Sequence, residues 1–230
     1  MKERGMIFNG EMVRALLGGR KTQTRRIAKG VEGAVKFCPE CDINGEDIFV
    51  ALGEKDHTGM NPLLGATSCP FGAVGDRIWV RETFQGPLFD FDLMDSYCKD
   101  PTPFERPEFC VYKADGAPAP EFYDADDELH CRWRPSIHMP RWASRITLEI
   151  TDVRVERLNS ISEEDARAEG IIDGGCVNCG EPEPCSCAHP QPDATDAFAY
   201  LWQSIYGQEN WDANPFVWVI QFERVEGGAA

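Results

Sequence analysis

The stretch Gly18–Arg26, GGRKTQTRR, sets four cationic side chains (Arg20, Lys21, Arg25 and Arg26) within seven positions of a 230-residue chain whose formal net charge is −16. Just upstream, Met12, Val13, Leu16 and Leu17 recur at i, i+1, i+4 and i+5, the spacing of one helix face. Asn9 suits the N-cap of that helix, and Gly18–Gly19 suit its end, because glycine adopts the left-handed conformation that closes helices. The basic run therefore begins where a helix stops. KTQTRRIA reads as the strand that follows, and GMIF (5–8) as a short strand leading in.

Farther along, DRIWVRETF (76–84) alternates Ile78 and Val80 with Trp79 and Arg81, the period of a half-buried strand. RITLEITDVRVERL (145–158) alternates Ile146, Leu148 and Ile150. Its parity switches at Thr151–Asp152 before Val153 and Val155, which predicts a bulge or a bend. SEEDARAEG predicts a helix, with Ser162 and Asp165 in a capping-box-like start, acidic residues in the first turn and Gly170 as the stop. TDAFAYLWQSIYG predicts an amphipathic helix ended by Gly207, and PFVWVIQFERV a closing strand. Many strands and few helices, without βαβ alternation, predict an α+β fold built on a small mixed β-barrel with flanking helices. The expectation is a single domain over 1–230, with long irregular, cysteine-containing insertions at about 29–73, 85–130 and 172–194. Within the second insertion FCVYKA is the one strand candidate.

Composition narrows the function classes. Hydrophobic residues at 42% and charged residues at 27% are those of an ordinary globular chain. No apolar run approaches the roughly 20 residues a membrane helix needs, and MKERGMIFNGEMVR lacks the apolar core of a signal peptide. A cytoplasmic protein is expected, in which the ten cysteines stay reduced. The acidic total argues against duplex DNA, whose binding rests on many phosphate contacts. A locally basic site for one nucleotide or a short single strand remains compatible with it.

GRKTQTRR, GDRIWVRE and EITDVRVERLNSISEEDARAEGI together resemble the ASCH superfamily of PUA-like barrels, in particular its longer phage- and prophage-encoded members. The family core has a glycine-ended helix, then G-x-K-T-x-T-x-R, here Gly19 to Arg26. A Gly-Asp strand start (Gly75, Asp76), a strand-to-helix segment and a closing V-x-x-F strand, here in VWVIQF, complete it. WRPSIHMPRWASRITLEI (133–150) is typical of the phage branch. The resemblance covers somewhat over half the chain and leaves the three insertions unexplained.

The resemblance implies a link to RNA: one small bacterial member removes the acetyl group of N4-acetylcytidine, and another relative is described as a ribonuclease. The amidohydrolase uses a lysine and a threonine of K-T-x-T and a glutamate of the later helix, which match Lys21, Thr24 and Glu169. Thr24 would be the nucleophile, Lys21 its base, and Glu169 the group that orients the lysine or carries the proton to the leaving amine. In a regular strand, however, residues three apart point to opposite faces, so Lys21 and Thr24 converge only if the backbone bends or the lysine stem reaches round. Arg20, Arg25, Arg26, Arg81, His138 and Arg141 are the candidate substrate contacts. Each has a structural alternative: a basic run can be a solvated strand edge, and Pro135 and Pro140 can bracket a turn with Trp142 in the core. Trp79 and Trp218 read as core residues rather than base-stacking platforms. A nucleoside or single-stranded RNA is the expected partner. A non-catalytic RNA-binding module is the second reading. A phage counter-defence protein that binds a host protein, with the −16 charge imitating nucleic acid, is the third.

CVNCGEPEPCSC carries C-x2-C and then C-x-C, and tetrahedral zinc is commonly held by four thiolates. Cys176, Cys179, Cys185 and Cys187 are the expected ligands of a structural zinc, with His189 as a spare. A second site would use Cys38 and Cys41 of CPEC with Cys69 and His57 as partners.

Overall fold

Asn9 caps the first helix as its sequence requires, its side-chain oxygen accepting from the Met12 N–H at 2.8 Å. The computed structural model describes residues 1–30, 33–41, 47–123, 128–172, 179, 186–188 and 194–225. In chain order the elements are β1 (Glu3–Ile7), α1 (Gly10–Leu17), β2 (Gln23–Ile27), β3 (Lys36–Cys41), β4 (Asp47–Leu52), β5 (Leu63–Thr67) and β6 (Arg77–Arg81). Then come β7 (Phe84–Gln85), α2 (Met94–Lys99), β8 (Val111–Tyr112), β9 (Glu121–Tyr123), β10 (Leu129–Cys131) and β11 (Thr147–Arg157). The chain continues with α3 (Glu163–Ala168), α4 (Ala194–Tyr206), α5 (Gln208–Asp212) and β12 (Phe216–Arg224). The fold is mixed α+β, with several sheets and few helices. Among the described residues the strand pairings do not close a barrel. No helix there is long and apolar enough to cross a membrane.

Residue contacts divide the chain into two units. The first holds Met1–Gly18, Arg77–Glu149 and Arg224–Ala230. Here β1 runs parallel to β6, with Gly5 opposite Trp79, and β6 pairs antiparallel with the start of β11. The expected alternation holds: Ile78, Val80 and Leu148 are buried. Gly5 is required by its neighbour, since a Cβ there would come within 2.6 Å of the Trp79 ring. The 85–130 insertion forms short turns of 3-10 helix, the small β7–β8 ladder and the β9–β10 hairpin. FCVYKA supplies β8, as its sequence suggests.

The second unit holds Gly19–Asp76 and Ile150–Glu223. Its sheet runs in the order β11-β12-β2. β12 and β2 are antiparallel, with Val219 opposite Arg25 and Ile220 opposite Thr24. One face of this pair carries Val217 and Val219, which pack with Leu158, Ala166, Phe198 and Trp202 beneath α3 and α4. The other face carries Trp218, whose ring meets Phe49 of β4 edge-on at 5.0 Å. Trp218 is a core residue, 2% exposed.

The 29–73 insertion corrects the expectation of irregular structure. Residues Lys36–Thr67 contain an antiparallel sheet, β3-β4-β5. DIFVAL of β4 buries Phe49 and Ala51 on alternate positions, a short period-two signal. Its neighbours hid it: β3 contains Pro39, tolerable there because β3 is an edge strand, and β5 is almost wholly exposed.

Leu158 is fully buried against α3, α4 and β12. Leu158→Ala should therefore lower stability by about 2–5 kcal/mol in urea titration. A loss under about 1 kcal/mol would place this side chain outside the core.

Candidate functional site

Alternation along a strand puts every second side chain on one face. Lys21, Gln23 and Arg25 follow that rule, and all three meet the end of α3. The meeting is built by backbone pairing: Lys21 and Glu169 form an isolated antiparallel bridge, and the Thr22 N–H donates to the Ala168 carbonyl at 2.8 Å. α3 arrives there because Ser162 caps its start, accepting from the Asp165 N–H, and because Gly170 at φ 89° ends it. Asp165 and Glu169, four residues apart, project from one side of this turn.

The Lys21 ammonium has no exposed side-chain surface and Glu169 is 4% exposed. Lys21 Nζ donates to Glu169 Oε2 at 2.7 Å and to the Glu169 backbone carbonyl at 2.8 Å. Arg25, also without exposed side-chain surface, reaches Glu169 Oε1 at 3.4 Å, Asp165 Oδ2 at 2.8 Å and Glu156 Oε2 at 3.4 Å. Arg154 on β11 closes the network, donating to Glu156 Oε1 at 2.6 Å and to Asp165 Oδ2 at 3.1 Å. Gln23 Nε2 donates to the Asp165 backbone carbonyl at 2.7 Å.

Burial lowers the Lys21 pKa, an effect opposed by the charge and hydrogen bond of Glu169 and reinforced by Arg26 and Arg25. The net direction is downward, which eases loss of the proton. For Asp165 burial works the other way, but Arg25 and Arg154 outweigh it and hold the carboxyl below its ordinary value.

Thr24 and Arg26 occupy the opposite strand face. Thr24 is fully buried, and its hydroxyl accepts from Arg26 Nη1 at 3.0 Å. The structure thus brings Lys21 to Glu169 and Arg25, and gives Thr24 to Arg26. No bend after Gly19 overrides the alternation, although Gly19 does take φ 71°. Arg20 is exposed, with Nη1 3.5 Å from the Gly170 carbonyl. Of the expected substrate contacts, Arg25 is an internal group bound to three carboxylates.

Arg81, His138 and Arg141 lie in the first unit. Arg81 donates to the carbonyls of Ser136 and Ile137 and sits over the Trp79 ring. Arg141 pairs with Glu3 at 3.0 Å, and His138 is exposed at the end of a short 3-10 turn. Pro135 and Pro140 do precede two such turns, and Trp142 packs beside Met139 and Ala143. The same unit holds a cluster that sequence reading missed. Buried Glu82 takes two hydrogen bonds from Arg145, which also grips Asp115 and lies 3.9 Å from the Tyr112 ring centre. Burial raises the Glu82 pKa against the opposing effect of Arg145.

Of the cysteine candidates, Cys176, Cys185 and His189 lie outside the described residues, while Cys179 is exposed and Cys187 partly buried. Cys38 and Cys41 sit on β3, and Cys69 follows β5. Among the described residues no group of three or more His, Cys, Asp or Glu is arranged to hold a metal ion. The network of Arg25 with Asp165, Glu156 and Arg154 has no local sequence signal, because β2, β11 and α3 bring its members together only in the fold, and Asp165 reads in the sequence as part of the helix start.

No family model, no curated protein and no solved structure matches the chain.

Removing Arg25 takes one of two cationic partners from each of Glu169, Asp165 and Glu156. Arg25→Met should cost about 1.5–3 kcal/mol near neutral pH, the worth of the charged hydrogen bonds it loses. The Asp165 pKa is lowered from 3.8 in the folded state, so its contribution is complete above that value and is lost as pH falls through the folded value. The gap between wild type and Arg25→Met should therefore narrow below about pH 4 in urea titrations. A gap constant with pH would contradict the Arg25–Asp165 link.

Proposed function

We propose that this chain is an ASCH-type hydrolase acting on a modified nucleobase, nucleoside or short RNA, with hydrolysis of an N4-acylcytidine amide as the most concrete form. The barrel-like PUA arrangement implied by the sequence resemblance belongs to the same proposal. What supports the reading is the buried Lys21–Glu169 pair, formed by the two residues that match the amidohydrolase positions. A lysine with a lowered pKa can accept a proton from a nucleophile, and a carboxylate that fixes its ammonium sets where that proton goes. In the proposed reaction the nucleophile matched by the resemblance, the Thr24 hydroxyl, bonds to the acyl carbon and its proton passes to Lys21, which requires Thr24 to turn from the strand face it shares with Arg26 to that of Lys21. The C–N bond breaks, Lys21 returns the proton to the leaving amine, and water then hydrolyses the acyl-threonine.

The second reading, a module that binds the modified base without turnover, draws support from one observation: the Thr24 hydroxyl is engaged by Arg26 on the face opposite Gln23 and Arg25. For catalysis Thr24 must leave that bond. Acetate release from N4-acetylcytidine decides between the readings. Lys21→Ala and Thr24→Ala should each lower kcat by about 100-fold or more while ligand affinity stays within about tenfold. The wild-type rate should rise with pH through the Lys21 pKa, which lies below 10.5. Binding without any acetate release would favour the module, and full activity of Thr24→Ala would remove the nucleophile assignment.

A structural zinc on Cys176, Cys179, Cys185 and Cys187 is proposed from the cysteine spacing alone, with the Cys38, Cys41 and Cys69 set as a weaker second site. Metal analysis should find about one zinc per chain, and chelation should cost stability. Metal-free protein in which all ten thiols react at once would contradict it.

A further inference from the structure

Between Asp56 and Asp76 the sequence carries no Asp, Glu, Lys or Arg, although such residues make up 27% of the chain. A long uncharged stretch ordinarily belongs to a core. This one lies at the surface: Met60 and Leu63 are each 67% exposed, and Leu64 is 49% exposed. At its middle is β5, which pairs with β4 on one side and, among the described residues, with no strand on the other. The two edges of this sheet differ. β3 exposes Lys36, Pro39 and Glu40, residue types that keep an edge from pairing with another chain. β5, LLGAT, has none of them. Its register irregularity falls at the Leu63 end, and Gly65 to Thr67 run in regular register with β4. A Cβ on Gly65 would meet nothing within 4 Å, so the space beside it is open. An apolar, unguarded edge of this kind is a surface for one more strand.

Charge selects the occupant. A stretch without a cation offers nothing to the phosphates of a nucleic acid or an anionic lipid surface, which argues for a protein strand. Two copies of this chain carry a formal −16 each and repel, so they approach most easily where neither brings a charge. A strand edge laid antiparallel to its own copy is also self-complementary about a two-fold axis, each N–H facing a carbonyl. We propose that β5 is the interface of a homodimer, in which the β3-β4-β5 sheets of two copies join edge to edge through an antiparallel β5–β5 pair. Five residues a side is far fewer than the about 20–30 of a standard interface, so the dimer forms reversibly, at micromolar or higher concentration. This inference is independent of the hydrolase reading.

Sedimentation velocity of the full chain over a range of concentrations reads the dimer, and hydrogen exchange at low and high concentration locates it. Wild type should pass from monomer to dimer as concentration rises. In the dimer the β5 amides should exchange severalfold more slowly, while those of β3 stay unchanged. Raising the ionic strength should strengthen the dimer, because it screens the repulsion between two acidic copies. Gly65→Lys sets a like charge on each joined edge and should weaken dimerisation at least about fivefold. It does so although it makes each copy less acidic, so repulsion between whole chains cannot account for the loss. The variant monomer should unfold at the wild-type urea concentration, since the new side chain enters open space. A wild type still monomeric at about 1 mM overturns the proposal and leaves a strand of another protein as the occupant of β5. A dimer that salt weakens, that Gly65→Lys leaves intact, or that leaves the β5 amides unprotected uses another surface, and each of these results overturns it as well.

Discussion

Lys21 carries its ammonium into a site with no solvent contact, and the carboxylate of Glu169 meets it at 2.7 Å. Taking either charge out of water alone would cost several kcal/mol, so each residue makes the burial of the other tolerable. The backbone bridge between the same two residues fixes the end of α3 against the start of β2. Once that junction is set, strand alternation delivers Gln23 and Arg25 to α3 as well, and Arg25 collects Asp165 and Glu156. The apolar cluster under α3 and α4 begins on the same face, with Val219 opposite Arg25 and the Phe198 ring 5.9 Å from the guanidinium.

This arrangement answers why so acidic a chain gathers cations at Gly18–Arg26. Lys21 and Arg25 face inward, where carboxylates of α3 and β11 neutralise them. Arg26 is turned to the other strand face, and Arg20 alone of the four is exposed. A buried mixed-charge network of this kind holds geometry more than it adds stability, because desolvation offsets most of the attraction. Pre-set geometry is what the proposed hydrolase would require of a proton-handling site.

Much of the scaffold was legible because local signals agree with the fold. The Asn9 cap, the Gly18–Gly19 stop, the Ser162 cap and the alternation of Ile78, Val80 and Leu148 each appear where the sequence puts them. The β3-β4-β5 sheet was obscured because only β4 has a buried face, and five apolar residues between polar loops give a weak period. The pairing of position 21 with position 169 came from family resemblance, since no local pattern links residues so far apart. Once that pairing is given, Arg25 and Asp165 follow from pattern: Arg25 shares a strand face with Lys21, and Asp165 lies one helical turn before Glu169. The same rule of alternation separates Thr24 from Lys21, and the structure follows the rule.

The central claim is that Lys21 and Glu169 act as one buried unit, and a double-mutant cycle measures that directly. Urea unfolding of wild type, Lys21→Met, Glu169→Gln and the double variant at neutral pH gives the coupling energy between the two sites. Each single change strands a buried partner, so the double variant should be less damaging than the sum of the two by about 1–3 kcal/mol. Additive losses, with coupling under about 0.5 kcal/mol, would mean that the two charges do not depend on each other.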